Sequence, residues 1–366
     1  MKPRHLFLFC AGTLLTTSLV ALCPDPADHG DKPMPVPQKQ MQPKPMTCPK
    51  PKSPCEPKPP EPECPRMDVF PEAGPLVCDG ADVYFTGTFI LWTPRQDGLE
   101  YAISGVGNNV GKGDVHSIDF GVEPGFKVGL GWDLPHDDWD LYAQFTWLHA
   151  DGDGKTTKAN TAGIVNPQFD PIISNKANWN LKFNVIDLEL GRNFFVSKYL
   201  KLRPFGGFKG TWQDQDYSVN YVTDNIIRND AKTTIDQDFW GFGIRGGCNT
   251  AWHFTNSWSV FGNCAISALW SGYDVDRKDV DTFLGIDDTT LNTQNNYHTI
   301  SPVLELILGI RYDLWFYYDE YHLSIDAGWE EQVWWGHNRY VVINQPQQNG
   351  GNLSFQGLTL TVRFDF

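Results

Sequence analysis

The last nine residues constrain this chain more than any other stretch. In Leu358-Thr359-Leu360-Thr361-Val362-Arg363-Phe364-Asp365-Phe366 every second residue is apolar, and the residues between are polar. Side chains alternate across a β-strand, so the stretch has one greasy and one wet face. A chain that stops there, on Phe366, carries a long apolar edge, which soluble proteins avoid. An outer-membrane β-barrel resolves the conflict by closing its last strand onto its first. The competing reading is an ordinary terminal strand of a soluble sandwich.

The start of the chain bears on the compartment. Met1-Lys2-Pro3-Arg4-His5 is basic and Leu6 to Leu22 is apolar, the pattern of a cleaved secretory signal over residues 1–22. Cys23 raises lipid attachment, although Leu22 is larger than the small residue that reaction prefers. Beyond the signal no apolar run approaches the ~20 residues of a spanning helix. With 14 Trp, 13 Tyr and 23 Phe the chain is nevertheless aromatic-rich, and its mean hydropathy is negative. A barrel reconciles these facts, because only alternate residues meet lipid.

Residues 23–80 read as a disordered periplasmic arm. Lys50-Pro51-Lys52-Ser53-Pro54 and Glu56-Pro57-Lys58-Pro59-Pro60 are typical of it, and such composition favours extended, partly polyproline-II chain. Cys48, Cys55, Cys64 and Cys78 lie in the arm, with no C-x-x-C pair or nearby histidine to suggest zinc. In an exported protein they point to disulfides, within the arm or to neighbouring envelope proteins.

Residues 81–366 read as an all-β transmembrane antiparallel barrel of about 10 strands, within a range of 10–14. Val83, Phe85, Gly87, Phe89 and Leu91 mark the first strand; Phe126 to Trp132 and Trp139 to Trp147 alternate likewise. Trp179, Leu181, Phe183 and Val185 begin the fourth, whose phase slips to Ile186, Leu188 and Leu190, which a bulge explains most simply. Six more strands follow, ending in Leu358, Leu360, Val362, Phe364 and Phe366, the barrel-closing strand. Connections alternate in length. Leu134–Asp138, Val196–Tyr199, His253–Ser257 and Asp313–Glu320 are short. Trp92 to about Val115, Asp151–Ala177, about Tyr217–Ile235, Tyr273–His298 and Gly336–Ser354 are long and polar. Short periplasmic turns alternating with long outer loops are the barrel pattern. Further strands around Leu99–Ile103 or Tyr217–Val222 would widen the lumen. Trp or Tyr at strand ends fits interfacial girdles.

With the apolar faces on lipid, a set of charges faces inward: Lys127, Lys182, Arg203, Lys209, Arg245, Arg311, Arg363, Asp140, Asp187, Glu189, Glu305, Asp326, Glu330 and Asp365. They line either a wet pore or a closed ion-pair network. Cys248 and Cys264 fall on apolar faces of neighbouring strands, as a cross-strand disulfide or as small lipid-facing residues.

Two motifs suggest chemistry and fail. His136-Asp137-Asp138 places an imidazole beside carboxylates, but on a short inner turn where Asp is an ordinary turn residue. Asp151-Gly152-Asp153-Gly154 opens like a calcium loop, yet its twelfth position is Ala162 where a bidentate Glu is needed. No enzymatic activity, catalytic residue, metal or cofactor is expected. A net charge of −15 argues against nucleic acid as a partner. The expected partners are outer-membrane lipid, the barrel-insertion machinery, small hydrophilic solutes and disulfide-linked envelope proteins.

Several segments also resemble a known family. Leu91-Trp92-Thr93-Pro94-Arg95 followed by Gly98-Leu99-Glu100-Tyr101-Ala102 is one. Pro124 to Gly131, Leu134 to Tyr142 and Leu202-Arg203-Pro204-Phe205-Gly206-Gly207 are others. From Val83 to Phe366 the chain is similar to the Legionella major outer membrane protein family, found also in amoeba-associated chlamydiae. That resemblance implies a porin-like barrel in the outer membrane of an intracellular Gram-negative bacterium, passing small hydrophilic solutes. The Pro/Cys arm departs from the Legionella pattern and suits an envelope held by disulfides. The alternative is therefore a structural or adhesive barrel, cross-linked through the arm.

Overall fold

The computed structural model describes residues 77, 82–105, 113–134, 137–157, 161–166, 172–223, 228–318, 320–340 and 351–366. The signal, the arm apart from Val77, its four cysteines Cys48, Cys55, Cys64 and Cys78, and His136 lie outside them. Ten long strands carry the fold: β1 (Val83–Gln96), β2 (Glu123–Asp133), β3 (Trp139–Thr156), β4 (Ile172–Arg192) and β5 (Leu200–Thr223), then β6 (Arg228–His253), β7 (Trp258–Phe283), β8 (Ile286–Phe316), β9 (Tyr321–Asn338) and β10 (Gly351–Asp365). Each pairs antiparallel with the next, and β10 pairs with β1, Leu358 opposite Leu91 and Phe364 opposite Phe85. The ring is closed, as the terminal alternation requires.

Outward residues follow the expected lipid face. Phe85, Phe89, Leu130, Phe242, Ile244, Ile266, Leu308 and Val362 are exposed apolar side chains. Tryptophans cluster at two heights on this face. Trp147, Trp212, Trp240, Trp270 and Trp329 form an outer belt, and Trp132, Trp252, Trp258 and Trp315 an inner one. Along β6, Trp240 to Trp252 is about 40 Å of strand, or about 29 Å along the axis at a tilt of about 45°. That matches the ~30 Å hydrocarbon layer of a bilayer. Gly272 leaves room for the belt: a Cβ there would lie 2.5 Å from the Trp240 ring nitrogen.

The strands are much longer than the ~9–11 residues needed to span. β8 alone has 31 residues. Two of the expected long loops are therefore strand. Tyr217–Ile235 belongs largely to β5 and β6, and Tyr273–His298 to β7 and β8, joined by the tight turn at Leu284 and Gly285, both with positive φ. Asp236, Asp274, Asp276, Asn292 and Asn296 face water outside the barrel, while Tyr217, Val219, Tyr221, Tyr273 and Val275 are buried inside it, together with Thr233, Asp279 and Asp281. A polar outer face makes such strands look like loops in sequence. Asp151–Gly154 likewise lies within β3, with Asp153 opposite Asp119.

The phase slip in β4 has the same origin. Register with β3 and β5 runs unbroken through Val185 and Ile186, so no bulge is present there. Ile186, Leu188 and Leu190 face lipid, whereas Trp179, Leu181, Phe183 and Val185 are at most 2% exposed and point into the barrel. The strand leaves the membrane at this level, and its polarity turns inside out. A segment in lipid must be apolar outward; one in water must be apolar inward.

Candidate functional site: a charged chamber under an aromatic layer

Thirteen of the fourteen charged positions expected to face inward do so; Lys182 does not. It falls on the outer face of β4 with Asn178, Asn180 and Asn184, above the polarity switch, because the phase of Trp179 to Val185 is opposite to that assumed from an all-lipid strand.

The others form a network in the membrane-embedded half. Lys209 Nζ lies 2.7 Å from Asp187 and 2.6 Å from Glu305. Arg245 pairs with Glu189 at 3.2 Å and also with Glu305. Arg203 donates to Asp140 (Nε to Oδ2, 2.8 Å) and to Glu189 (2.8 Å), and Asn193 donates to Asp140 at 2.7 Å. Lys127 meets both Glu330 oxygens at 2.7 and 2.8 Å and lies 4.8 Å from the centre of the Trp92 ring. Thr359 and Gln332 donate to Glu330 as well. Near the inner mouth Arg311 pairs with Asp326, Arg363 with Asp365, and His322 bridges Asp313 and Asp365. Charges this deep are tolerated because each lies against a partner of opposite sign. Between them lies a cavity of about 220 Å³.

Aromatic rings cover the chamber on its outer side. Trp92 of β1 touches Phe355 of β10 (centroids 5.6 Å apart), and Phe355 touches Phe183 of β4 (4.7 Å). Phe183 in turn meets Trp334 of β9 (5.4 Å), and Trp334 meets Phe239 of β6 (6.4 Å). The chain of contacts runs from wall to opposite wall. All five rings are at most 2% exposed. Rings in contact at such spacings exclude water from between them.

Above this layer the chain itself crosses the lumen. Gly336 has φ +61°, and the pairing of β9 with β10 breaks between Trp334 and Asn338. A left-handed residue is nearly strain-free only as glycine. The break turns His337 and Tyr340 inward. The Gln237 side chain on the far wall donates to His337 O (2.9 Å) and accepts from Arg339 N (3.0 Å). Tyr340 donates to Gln215 (3.2 Å) and stacks on Tyr217 at 5.7 Å. Burial and the neighbouring Arg339 hold the His337 pKa down to about 3, so the imidazole is neutral. Loop residues also enter the upper lumen. A small sheet of Ala102–Ser104, Asp114–His116 and Ala162–Gly163 sits over β5, where Tyr217 and Tyr221 donate to Leu99 O and Tyr101 O.

Sequence reasoning did not find this strap or the aromatic layer. The phase slip after Val185 was the available signal, since it marks where apolar residues turn inward. Cys248 and Cys264 are directly opposite each other, as free thiols on the outer face. Asp137 of the inner turn pairs with Arg192 at 2.7 Å. Among the described residues no His, Cys, Asp or Glu group is arranged to hold a metal ion.

Comparison with curated protein sequences found no match. Among solved structures, the chain is similar to the outer membrane protease OmpT from Escherichia coli. The identity is 11% and the TM-score 0.40, over 78% of this chain and 97% of that one. It is also similar to a Pseudomonas aeruginosa FadL homologue (11%, TM-score 0.26, 78% and 90% covered). The attachment invasion locus protein Ail of Yersinia pestis matches at 9% and TM-score 0.25, with 77% and 97% covered. At these scores the likenesses carry no inference about activity. The family model described as the Legionella pneumophila major outer membrane protein precursor matches residues 77–366, from just before β1 through β10. The chain therefore belongs to the Legionella major outer membrane protein family and is a β-barrel of the bacterial outer membrane.

Proposed function

We propose that this barrel serves as a structural and surface-contact element of the envelope, and that its lumen is closed at rest. The observation that carries this reading is the wall-to-wall aromatic layer Trp92–Phe355–Phe183–Trp334–Phe239, backed by the strap clamped on Gln237. A hydrated solute has no path through side chains packed at this density. The long β5–β8 hairpins then become the working parts, with the N-terminal cysteines as the anchor to neighbouring envelope proteins.

The charged chamber favours a second reading, porin-like passage of small hydrophilic solutes. Fully paired charges stabilise no better than apolar packing of the same volume, so a wet inner vestibule gives them a use. Conduction on this reading requires the strap and the aromatic layer to move.

Conductance of the purified mature protein in a planar bilayer separates the two. The closed barrel is expected to give no sustained steps, and Trp334→Ala combined with Gln237→Ala to introduce them. Large, stable steps from the unmodified protein refute closure and establish the porin.

A further inference from the structure

The β7–β8 hairpin reaches far beyond the outer belt. Ile300 is exposed beside the outer belt, opposite Trp270. From there to Leu284 is about 50 Å of strand, or roughly 35 Å along the axis at a tilt of about 45°. At this remote end, in water, Phe283, Leu284 and Ile286 are 45%, 63% and 72% exposed. Phe283 and Ile286 are paired across the turn, and Leu284 sits on top, so the three form one apolar cap.

A second observation is independent of exposure. Leu284 has φ +48°, followed by Gly285 at +78°. A two-residue turn with positive φ at both positions prefers Asn or Asp before Gly, and a leucine there is strained. A side chain kept at the cost of the turn it occupies points to contact with something outside the chain.

We propose that this cap inserts into the surface of a facing lipid bilayer of neutral, zwitterionic headgroups. The cap is three apolar side chains at the tip of a hairpin. A protein pocket would have to enclose it in shape, whereas a bilayer interface accepts any apolar tip. Just behind it stand Asp287, held by Thr282 at 2.7 Å, and Asp288, with Lys232 and Lys278 on the outer faces farther back. Nearer the membrane the outer faces of β5, β6 and β7 carry Asp216, Asp236 and Asp276 side by side. Such a surface is repelled by anionic lipid and tolerated by zwitterionic lipid. The proposal deepens the surface-contact reading, but its test does not depend on whether the lumen conducts.

The test is co-flotation of the full-length barrel, held in lipid nanodiscs, with phosphatidylcholine vesicles and with vesicles containing phosphatidylserine. Wild type is expected to float with the neutral vesicles and at least tenfold less with the anionic ones. Leu284→Asn relieves the turn and so keeps the hairpin folded; with Ile286→Thr it is expected to lower flotation at least tenfold. No flotation of wild type, undiminished flotation of the double variant, or preference for phosphatidylserine overturns the proposal. So does a variant effect on self-association alone, which would make a second copy the occupant.

Discussion

Replacing Lys209 with methionine tests whether the chamber is dry enough for its ion pairs to matter. Lys209 is 1% exposed, bridges Asp187 and Glu305, and packs its ammonium 5.9 Å from the Trp334 ring centre. Methionine keeps most of the aliphatic stem and removes only the charge. Two buried carboxylates then share Arg245, which already serves Glu189 and lies 3.8 Å from Asp187. Removing one partner of a buried pair costs about 3–5 kcal/mol, because an uncompensated charge is left behind. Arg245 remains in place, so the lower end, about 3 kcal/mol, is expected. Adding Asp187→Asn leaves Glu305 paired with Arg245 and should recover at least half of the loss. Equilibrium urea unfolding of the barrel in lipid or detergent, followed by tryptophan fluorescence, measures both variants at constant m. A loss under about 0.5 kcal/mol for Lys209→Met would refute the reasoning, since only hydrated carboxylates lose a lysine so cheaply. It would also move the balance toward an open, porin-like lumen.

Further outcomes follow from other parts of the fold. Asp238 faces Asp214 and Asp274 across the outer sheet, and burial first, then these carboxylates, raise its pKa above the ordinary 3.8. A carboxyl raised in the folded state costs stability as pH rises from the unfolded value through the folded one. Asp238→Asn should therefore raise the unfolding midpoint at neutral pH, with the gain vanishing below about pH 4; equal gains at both pH values would contradict this. Cys248 and Cys264 are directly opposite, and opposed Cα atoms in an antiparallel pair are about 4.5–5.5 Å apart. Mild oxidation of the unfolded-free, membrane-inserted protein should join them within one chain, detectable as a linked peptide by mass spectrometry; failure of the bond to form argues for a different β6–β7 register. Gly336→Val places a β-branched residue at φ +61°. It should cost about 1–3 kcal/mol and expose the strap to limited proteolysis; an unchanged cleavage pattern would show that the strap does not depend on that turn.

The sequence alone determined the architecture. Alternation from Leu358 to Phe366 and aromatics at the strand ends specify a closed membrane barrel, because period-two patterning fixes which face meets lipid. It also placed thirteen charges in the lumen, since between lipid-facing residues there is nowhere else for them. Whether those charges line open water or one another is decided by tertiary structure. Lys127 finds Glu330 across 203 positions of sequence, and Phe183 finds both Phe355 and Trp334, only when the ring closes. The height at which each strand leaves the bilayer was likewise hidden. An inward apolar residue above the membrane and an outward one within it read alike in one dimension, which is why Lys182 was misplaced and the upper halves of β5 to β8 resembled loops. The physical reason is that lipid and water demand opposite faces of the same strand, and only the assembled barrel shows where one gives way to the other.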